Sequence, residues 1–487
     1  MAATVETLIG RDPAGRLVMG GQWRPAESEA RTPVIDPARE TLLAEVADAG
    51  PEDTATALDL ADRAQKRWAS TPPRARSDVL MRAFAEMAKR RDALAQLITA
   101  ENGKALSDAY AEVDYAAEFF RWYAEEAVRG AGRLMPAPKG GGRILVVNHP
   151  VGISVLITPW NFPAAMATRK LAPALAAGCA CILKPAPDTP LTALAIADIL
   201  RNAGLPDGVV SVLPTTRAGA LVEPLLADPR VRKLSFTGST AVGRRLLALA
   251  GERVLNVSME LGGDAPLIVY DDADLDLAVS GAMTAKMRNG GQACTAANRF
   301  YVQSGVWDTF VERFTTAMAA VTFGPGDREG VELGPLINAA AQTKLARLVE
   351  DSRARGGEVA LGGAPLEGPG HFFPPTVVTA THTLDLVDEE VFGPAAPIMR
   401  FEDPQAAIAH ANRVDSGLVG YVFTRDLAKG LRTAERLETG MVGLNRGVVS
   451  DPAAPFGGVK QSGLGREGGP EGLEAFQETQ YIATDWG

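Results

Sequence analysis

From residue 144 the sequence settles into an alternation that few folds accept. "ILVVNHPVGISVLITPW" reads as two short strands around a turn, and "AAGCACILKP" and "GVVSVLP" are further short apolar runs closed by glycine or proline. Between them, residues 164–177 and 191–203 are rich in alanine and leucine and read as helices. "VRKLSFTGSTAVGRRLLALAG" then runs strand, glycine turn, helix. Strands that alternate with helices argue for a parallel sheet covered by helices on its faces. "APLIVYDDADLDLAVSGAMTAKMRNGG" opens a second series of the same kind, which continues to about residue 460.

The flanks read differently. Residues 51–128 are helical in texture, with Leu80, Phe84, Met87, Leu94, Leu97 and Ile98 near helical spacing. "RGAGRLMPAPKGGGR" breaks that texture and reads as a linker or a paired strand segment. At 487 residues the chain is too long for one small core, and two or three domains are expected.

Charge and cysteine usage exclude several function classes. The net charge of −10 opposes nucleic acid or an anionic membrane as a partner, because binding phosphates needs a basic surface. No apolar run reaches the ~20 residues that span a bilayer. The N-terminus lacks a basic segment followed by an apolar one, so a cytoplasmic location is expected. Three cysteines make no disulfide framework, and Cys179 and Cys181 lie in an apolar run. His149, His371, His382 and His410 form no ligand cluster with cysteine, so no metal site is expected. The acidic run "DDADLD" reads as a turn and helix start, where acids favour the helix dipole.

One cysteine stands apart. Cys294 sits in "RNGGQACTAANR", a polar, glycine-rich stretch, although cysteine usually behaves as a small buried apolar residue. Such a thiol either happens to lie in a turn or is activated by helix-end amides or a cation. Four other segments carry similar double readings. In "SFTGSTAVG", Gly238 and Gly243 are spaced like the outer glycines of a dinucleotide fingerprint but Thr240 replaces the middle one. A turn of that kind either cradles phosphate at a helix start or is an ordinary α/β turn. Lys184 ends an apolar strand and must snorkel out or meet an anion. Glu260 in "MELGG" is a candidate general base if buried and a surface residue otherwise. Asn161 in "TPWNFP" is a candidate oxyanion donor or a helix cap.

Taken together, "TPWNFP", "LKPAPDTP", "SFTGSTAVG", "MELGG", "GGQACTAANR", "EEVFGP" and "PFGGVKQSGLGRE" resemble the aldehyde dehydrogenase superfamily in sequence and in order, over nearly the whole chain. The resemblance implies an α/β chain of three parts. A Rossmann-like NAD(P)-binding domain would take residues 1–128 and 150–261, and a catalytic α/β domain 262–461. A small β arm for oligomerisation would take 129–149 with 462–487, in a homodimer or homotetramer. It implies Cys294 as nucleophile, Glu260 as the base that activates water, and Asn161 as oxyanion donor assisted by the Cys294 N–H. Pro159, Trp160, Lys184, Gly238, Ser239, Gly243, Glu390 and Phe392 would contact the cofactor.

Within the superfamily the chain resembles the succinate-semialdehyde dehydrogenases, notably in "MATRKLAPALAAGC" and "KMRNGGQACTAANR". That likeness implies Arg169, Arg288 and Ser450 as a grip on a substrate carboxylate, with Phe162 and Phe456 lining the same tunnel. A planar guanidinium suits a carboxylate, unless both arginines pair with protein acids instead. Succinate semialdehyde is the expected substrate; glutarate semialdehyde, 2-oxoglutarate semialdehyde and sulfolactaldehyde are its rivals, and a cofactor-free cysteine hydrolase is a rival of another class. The cofactor is NADP or NAD. At Pro187 many NAD-preferring relatives carry a glutamate that repels a 2′-phosphate, and proline opens that position to NADP. Ala296 stands where the subfamily often has a second cysteine, so no disulfide switch is expected there.

Overall fold

The computed structural model describes residues 5–485 except 131, 384, 385 and 388. Two large sheets dominate. The first holds five parallel strands in the order Val210–Val212, Cys181–Lys184, Ile153–Ile157, Val231–Thr237 and Asn256–Glu260. In chain order that is 3-2-1-4-5, the doubly wound pattern of a Rossmann-like half. Strands Leu17–Met19 and Gln22–Arg24 extend one edge antiparallel, and Gly463–Leu464 closes the other. The strands are apolar on both faces because helices cover both. Helix Pro163–Ala177 is buried along its whole length.

The second sheet runs Glu358–Leu361, Thr376–Ala380, Ala395–Phe401, Ala297–Gln303, Ala265–Val269, Val419–Phe423 and Met441–Leu444. Only its first pair is antiparallel. The acidic run sits where a helix starts: the Asp274 carboxylate caps helix Leu275–Met287 by accepting the Leu277 N–H. A third, small sheet pairs Gln477–Thr484, Arg143–Pro150 and Arg133–Pro136, all antiparallel.

The helical flank divides into Pro51–Ala69, Pro73–Lys89, Arg91–Asn102 and Leu106–Glu126. Its apolar stripe buries Leu80, Met87, Leu94, Leu97 and Ile98 in the same core as helix Pro163–Ala177. No helix of the described residues is long and apolar enough to cross a membrane. None of them groups three or more potential metal ligands.

Candidate active site

In an open α/β sheet, ligands settle beyond the carboxyl ends of the strands, where the winding reverses. Here the reversal falls between Ile153–Ile157 and Val231–Thr237. The residues just past those ends, Pro159, Trp160 and Asn161 on one side and Gly238 and Ser239 on the other, line one cavity of about 390 Å³. Glu260, Cys294, Glu390 and Phe392 line it too. The cavity therefore brings together nine of the residues singled out above, from five separate segments.

Each is held by local chemistry. Cys294 follows Asn289, Gly290 and Gly291, all with positive φ (52°, 58° and 74°). Asparagine and glycine are the residues that tolerate that region, so "NGG" folds the turn that delivers the thiol. Gly238 is confined differently: a Cβ there would lie 2.5 Å from the Phe236 ring. Ser239 caps helix Thr240–Gly251, with its Oγ accepting the Val242 N–H. Gly243 does not line the cavity; a side chain there would collide with Leu261, so it serves close packing of helix on strand. Phe392 has φ of 42° and meets Trp160 edge to face at 5.5 Å.

The structure chooses between the double readings. Asn161 is not a helix cap: its Nδ2 donates to the Gln292 carbonyl at 3.0 Å, which leaves one amide hydrogen uncommitted. Glu260 is no surface residue; it ends strand Asn256–Glu260 at 3% exposure, and both its carboxylate oxygens lack a hydrogen-bond partner. Burial and the neighbouring Glu467 hold its pKa well above the carboxylate range. Glu467 itself stays ionised despite its burial, because Lys170 lies 2.5 Å away and Arg169 3.9 Å. The half-buried Cys294 thiol lines the cavity, and burial pushes its pKa up to about 12. Arg169 and Arg288 pull it down; Glu390 and Glu260 push it further up. Burial also lifts Glu390 to about 7 and lowers Lys184 to about 8. Lys184 lies outside the main cavity, nearly buried at the end of its strand. Pro187 lines a second cavity of about 330 Å³ that shares Ile337 and Asn338 with the first.

The remaining predicted residues form a neighbouring cluster. The Arg288 Nη1 donates to Ser450 Oγ at 3.2 Å, and its guanidinium lies 4.8 Å from the Phe162 ring. Among the described residues Arg288 has no carboxylate partner. The Arg169 guanidinium stacks over Phe456 at 4.0 Å.

Several supporting residues carried no sequence signal. Asp108 and Glu112 lie one turn apart on one face of helix Leu106–Glu126. Asp108 accepts the Asn289 N–H at 2.8 Å. Glu112 accepts the N–H groups of Ala164 and Ala165 and pairs with Lys104 at 2.5 Å. The glutamate thereby caps the helix that carries Arg169. An acid among apolar helix positions was the only available hint.

A family model, the aldehyde dehydrogenase family, matches residues 23–482. The chain is 51% identical over 442 residues to a succinate-semialdehyde dehydrogenase of Paenarthrobacter nicotinovorans, covering 91% of this chain and 98% of that one. It is 46% identical over 463 residues to a glutarate-semialdehyde dehydrogenase of Pseudomonas aeruginosa, covering 95% and 96%. Among solved structures, an Escherichia coli NADP-dependent enzyme superposes with a TM-score of 0.95 at 44% identity, over 97% of this chain and 98% of that one. Because the match spans both sheets and every segment of the cavity, the chain belongs to the aldehyde dehydrogenase family.

Proposed function

We propose that this aldehyde dehydrogenase oxidises an ω-carboxylate semialdehyde, succinate semialdehyde first among them, to the acid. The observation that carries the reading is Arg288: a guanidinium beside the thiol that, among the described residues, contacts a serine hydroxyl and aromatic faces and feels the buried Asp108 carboxylate without an ion pair to it. A guanidinium without a direct ion pair favours a ligand that brings a carboxylate to it. Arg169 and Ser450 complete the grip. The similarity to both a succinate- and a glutarate-semialdehyde dehydrogenase supports a short dicarboxylic semialdehyde and leaves its length to experiment.

The chain's residues suit the chemistry in order. The Cys294 sulfur bonds to the aldehyde carbon, and the second Asn161 amide hydrogen with the Cys294 N–H receives the oxygen as charge builds there. Losing one such donor typically costs ~3 kcal/mol of barrier. Glu260, kept basic by burial, accepts a proton from the water that cleaves the thioester, while the proton the thiol loses on addition leaves through the cavity to solvent. Burial raises the pKa of the thiol, which makes it less reactive at rest.

The cavity fits a nicotinamide cofactor. Glu260 has unsatisfied oxygens within it, the first turn of helix Thr240–Gly251 presents free N–H groups toward a phosphate, and Gly238 lets backbone approach closely. Pro159, Trp160, Gly238, Ser239, Glu390 and Phe392 would hold it, with Lys184 at its adenosine end. When bound, the cofactor accepts the hydride that the aldehyde carbon gives up. Pro187, which has neither charge nor hydroxyl, and the likeness to an NADP-dependent enzyme support NADP alongside NAD. The domain roles implied by the sequence, and a dimer or tetramer built on the small sheet, belong to the same proposal.

Kinetics of Arg288→Ala test the reading. The expected result is a loss in kcat/KM of roughly 100-fold with succinate semialdehyde, as for a charge-assisted hydrogen bond pair. An uncharged aldehyde such as butanal should lose little. Equal losses on both substrates would defeat the assignment.

A further inference from the structure

Tyr115 lies one helical turn beyond Glu112 on the face that also carries Asp108, and it occurs in no motif of the family pattern quoted above. Its hydroxyl accepts a 2.6 Å hydrogen bond from Arg169 Nη2. Its ring lies near both guanidinium groups of the proposed carboxylate grip, 5.7 Å from that of Arg169 and 5.8 Å from that of Arg288. We propose that Tyr115 is a positioning residue for substrate specificity: it holds Arg169 turned toward the substrate carboxylate and keeps it from collapsing onto Glu467. This rests on the carboxylate reading of the previous section.

The geometry of Arg169 is the argument. The side chain is 2% exposed, yet its Nε has no hydrogen-bond partner. Glu467 Oε2 lies 3.9 Å from Arg169 Nη1, a loose ion pair without a hydrogen bond. A buried guanidinium and a buried carboxylate normally close such a gap into a bidentate pair. Here they do not. The Tyr115 hydroxyl and the Phe456 ring engage the guanidinium, while Lys170 and Ser235 engage the other Glu467 oxygen. Two like charges near one another also repel, and an aromatic ring close to both offsets part of that cost. Removing only the hydroxyl would free Arg169 to complete its pair with Glu467 and withdraw it from the substrate.

Tyr115→Phe tests this, because it keeps the ring and the packing. The expected result is a rise in KM for succinate semialdehyde of about tenfold, the value of one hydrogen bond to a charged group. kcat should change less than about twofold, and the kinetics with butanal should not change. Inhibition by succinate should weaken in parallel, and the melting temperature should stay near that of the wild type. Unchanged KM and inhibition, or equal losses on both aldehydes, would overturn the role of Tyr115. Arg288→Ala run beside it separates the two failures. If the wild type prefers the anionic aldehyde and Arg288→Ala abolishes that preference while Tyr115→Phe keeps it, only the present inference falls. If the wild type has no such preference, the carboxylate reading falls and takes this one with it.

Discussion

The Lys104 ammonium donates a 2.7 Å hydrogen bond to the main-chain carbonyl of Asn161. Asn289 Nδ2 donates to the same oxygen at 2.8 Å. The proposed oxyanion donor is thus held through its own backbone by two residues from other segments. Lys104 is fully buried and paired with Glu112, which lies on the helix that also supplies Asp108.

Breaking that support should cost both stability and rate. In Lys104→Met the Glu112 carboxylate stays buried without its cation, a loss of about 3–5 kcal/mol. Denaturant midpoints read it. Adding Glu112→Gln removes the orphaned charge and should restore part of the stability. It should not restore kcat, which is expected to fall roughly 10–100-fold in both variants because a displaced donor misses the developing charge. Full recovery of kcat in the double variant would show that Lys104 acts through stability alone.

Glu260→Gln separates the two halves of turnover. If Glu260 chiefly activates the water, acylation of Cys294 survives while hydrolysis stalls. Rapid mixing followed at 340 nm should then show a stoichiometric burst and a steady rate at least 100-fold lower, the signature of an accumulating acyl-enzyme. Cys294→Ser should show no burst. A lost burst in Glu260→Gln would move the first proton transfer onto Glu260 as its essential duty.

Much of this was legible in the sequence, for a physical reason. The strand–helix alternation after residue 144 gave the parallel sheet, and most of the residues at strand ends, though not Lys184, fell on the cavity because the reversal of winding puts them there. The "NGG" turn was readable because only a few residue types tolerate positive φ. What lay hidden was the support. Asp108 meets Asn289 across 181 residues of chain, and Lys170 meets Glu467 across 297. No local pattern encodes such partners; in the sequence they look like ordinary polar or charged residues. The extension of the first sheet by Leu17–Met19 and Gln22–Arg24 was equally silent, because three-residue strands have too little periodicity to register.

If Lys184 meets the cofactor as proposed, its titration should tie cofactor choice to pH. Burial lowers its pKa to about 8, with nearby Asp188 opposing the shift. The ammonium is therefore present below that pH and lost above it. If it meets a 2′-phosphate, the KM for NADP should climb as pH rises through about 8, while that for NAD stays flatter. Lys184→Met should remove the pH dependence and raise the NADP KM by roughly tenfold or more, since one charge-assisted contact is lost. The same pH profile for both cofactors would place Lys184 away from the phosphate.

The reactivity of the thiol offers a test with two opposite signs. Burial sets the Cys294 pKa near 12, so at neutral pH only a small fraction is thiolate, and alkylation by iodoacetamide should speed up about tenfold per pH unit across the alkaline range. Arg169 is the strongest influence lowering that pKa, and Glu390 the strongest charge raising it. Arg169→Met should accordingly slow alkylation at any fixed pH, and Glu390→Gln should accelerate it. Mass spectrometry of the modified peptide confirms that the label sits on Cys294 rather than on buried Cys179 or Cys181. Shifts of the same sign in both variants would mean that access to the cavity, and not the field of these two charges, governs the sulfur.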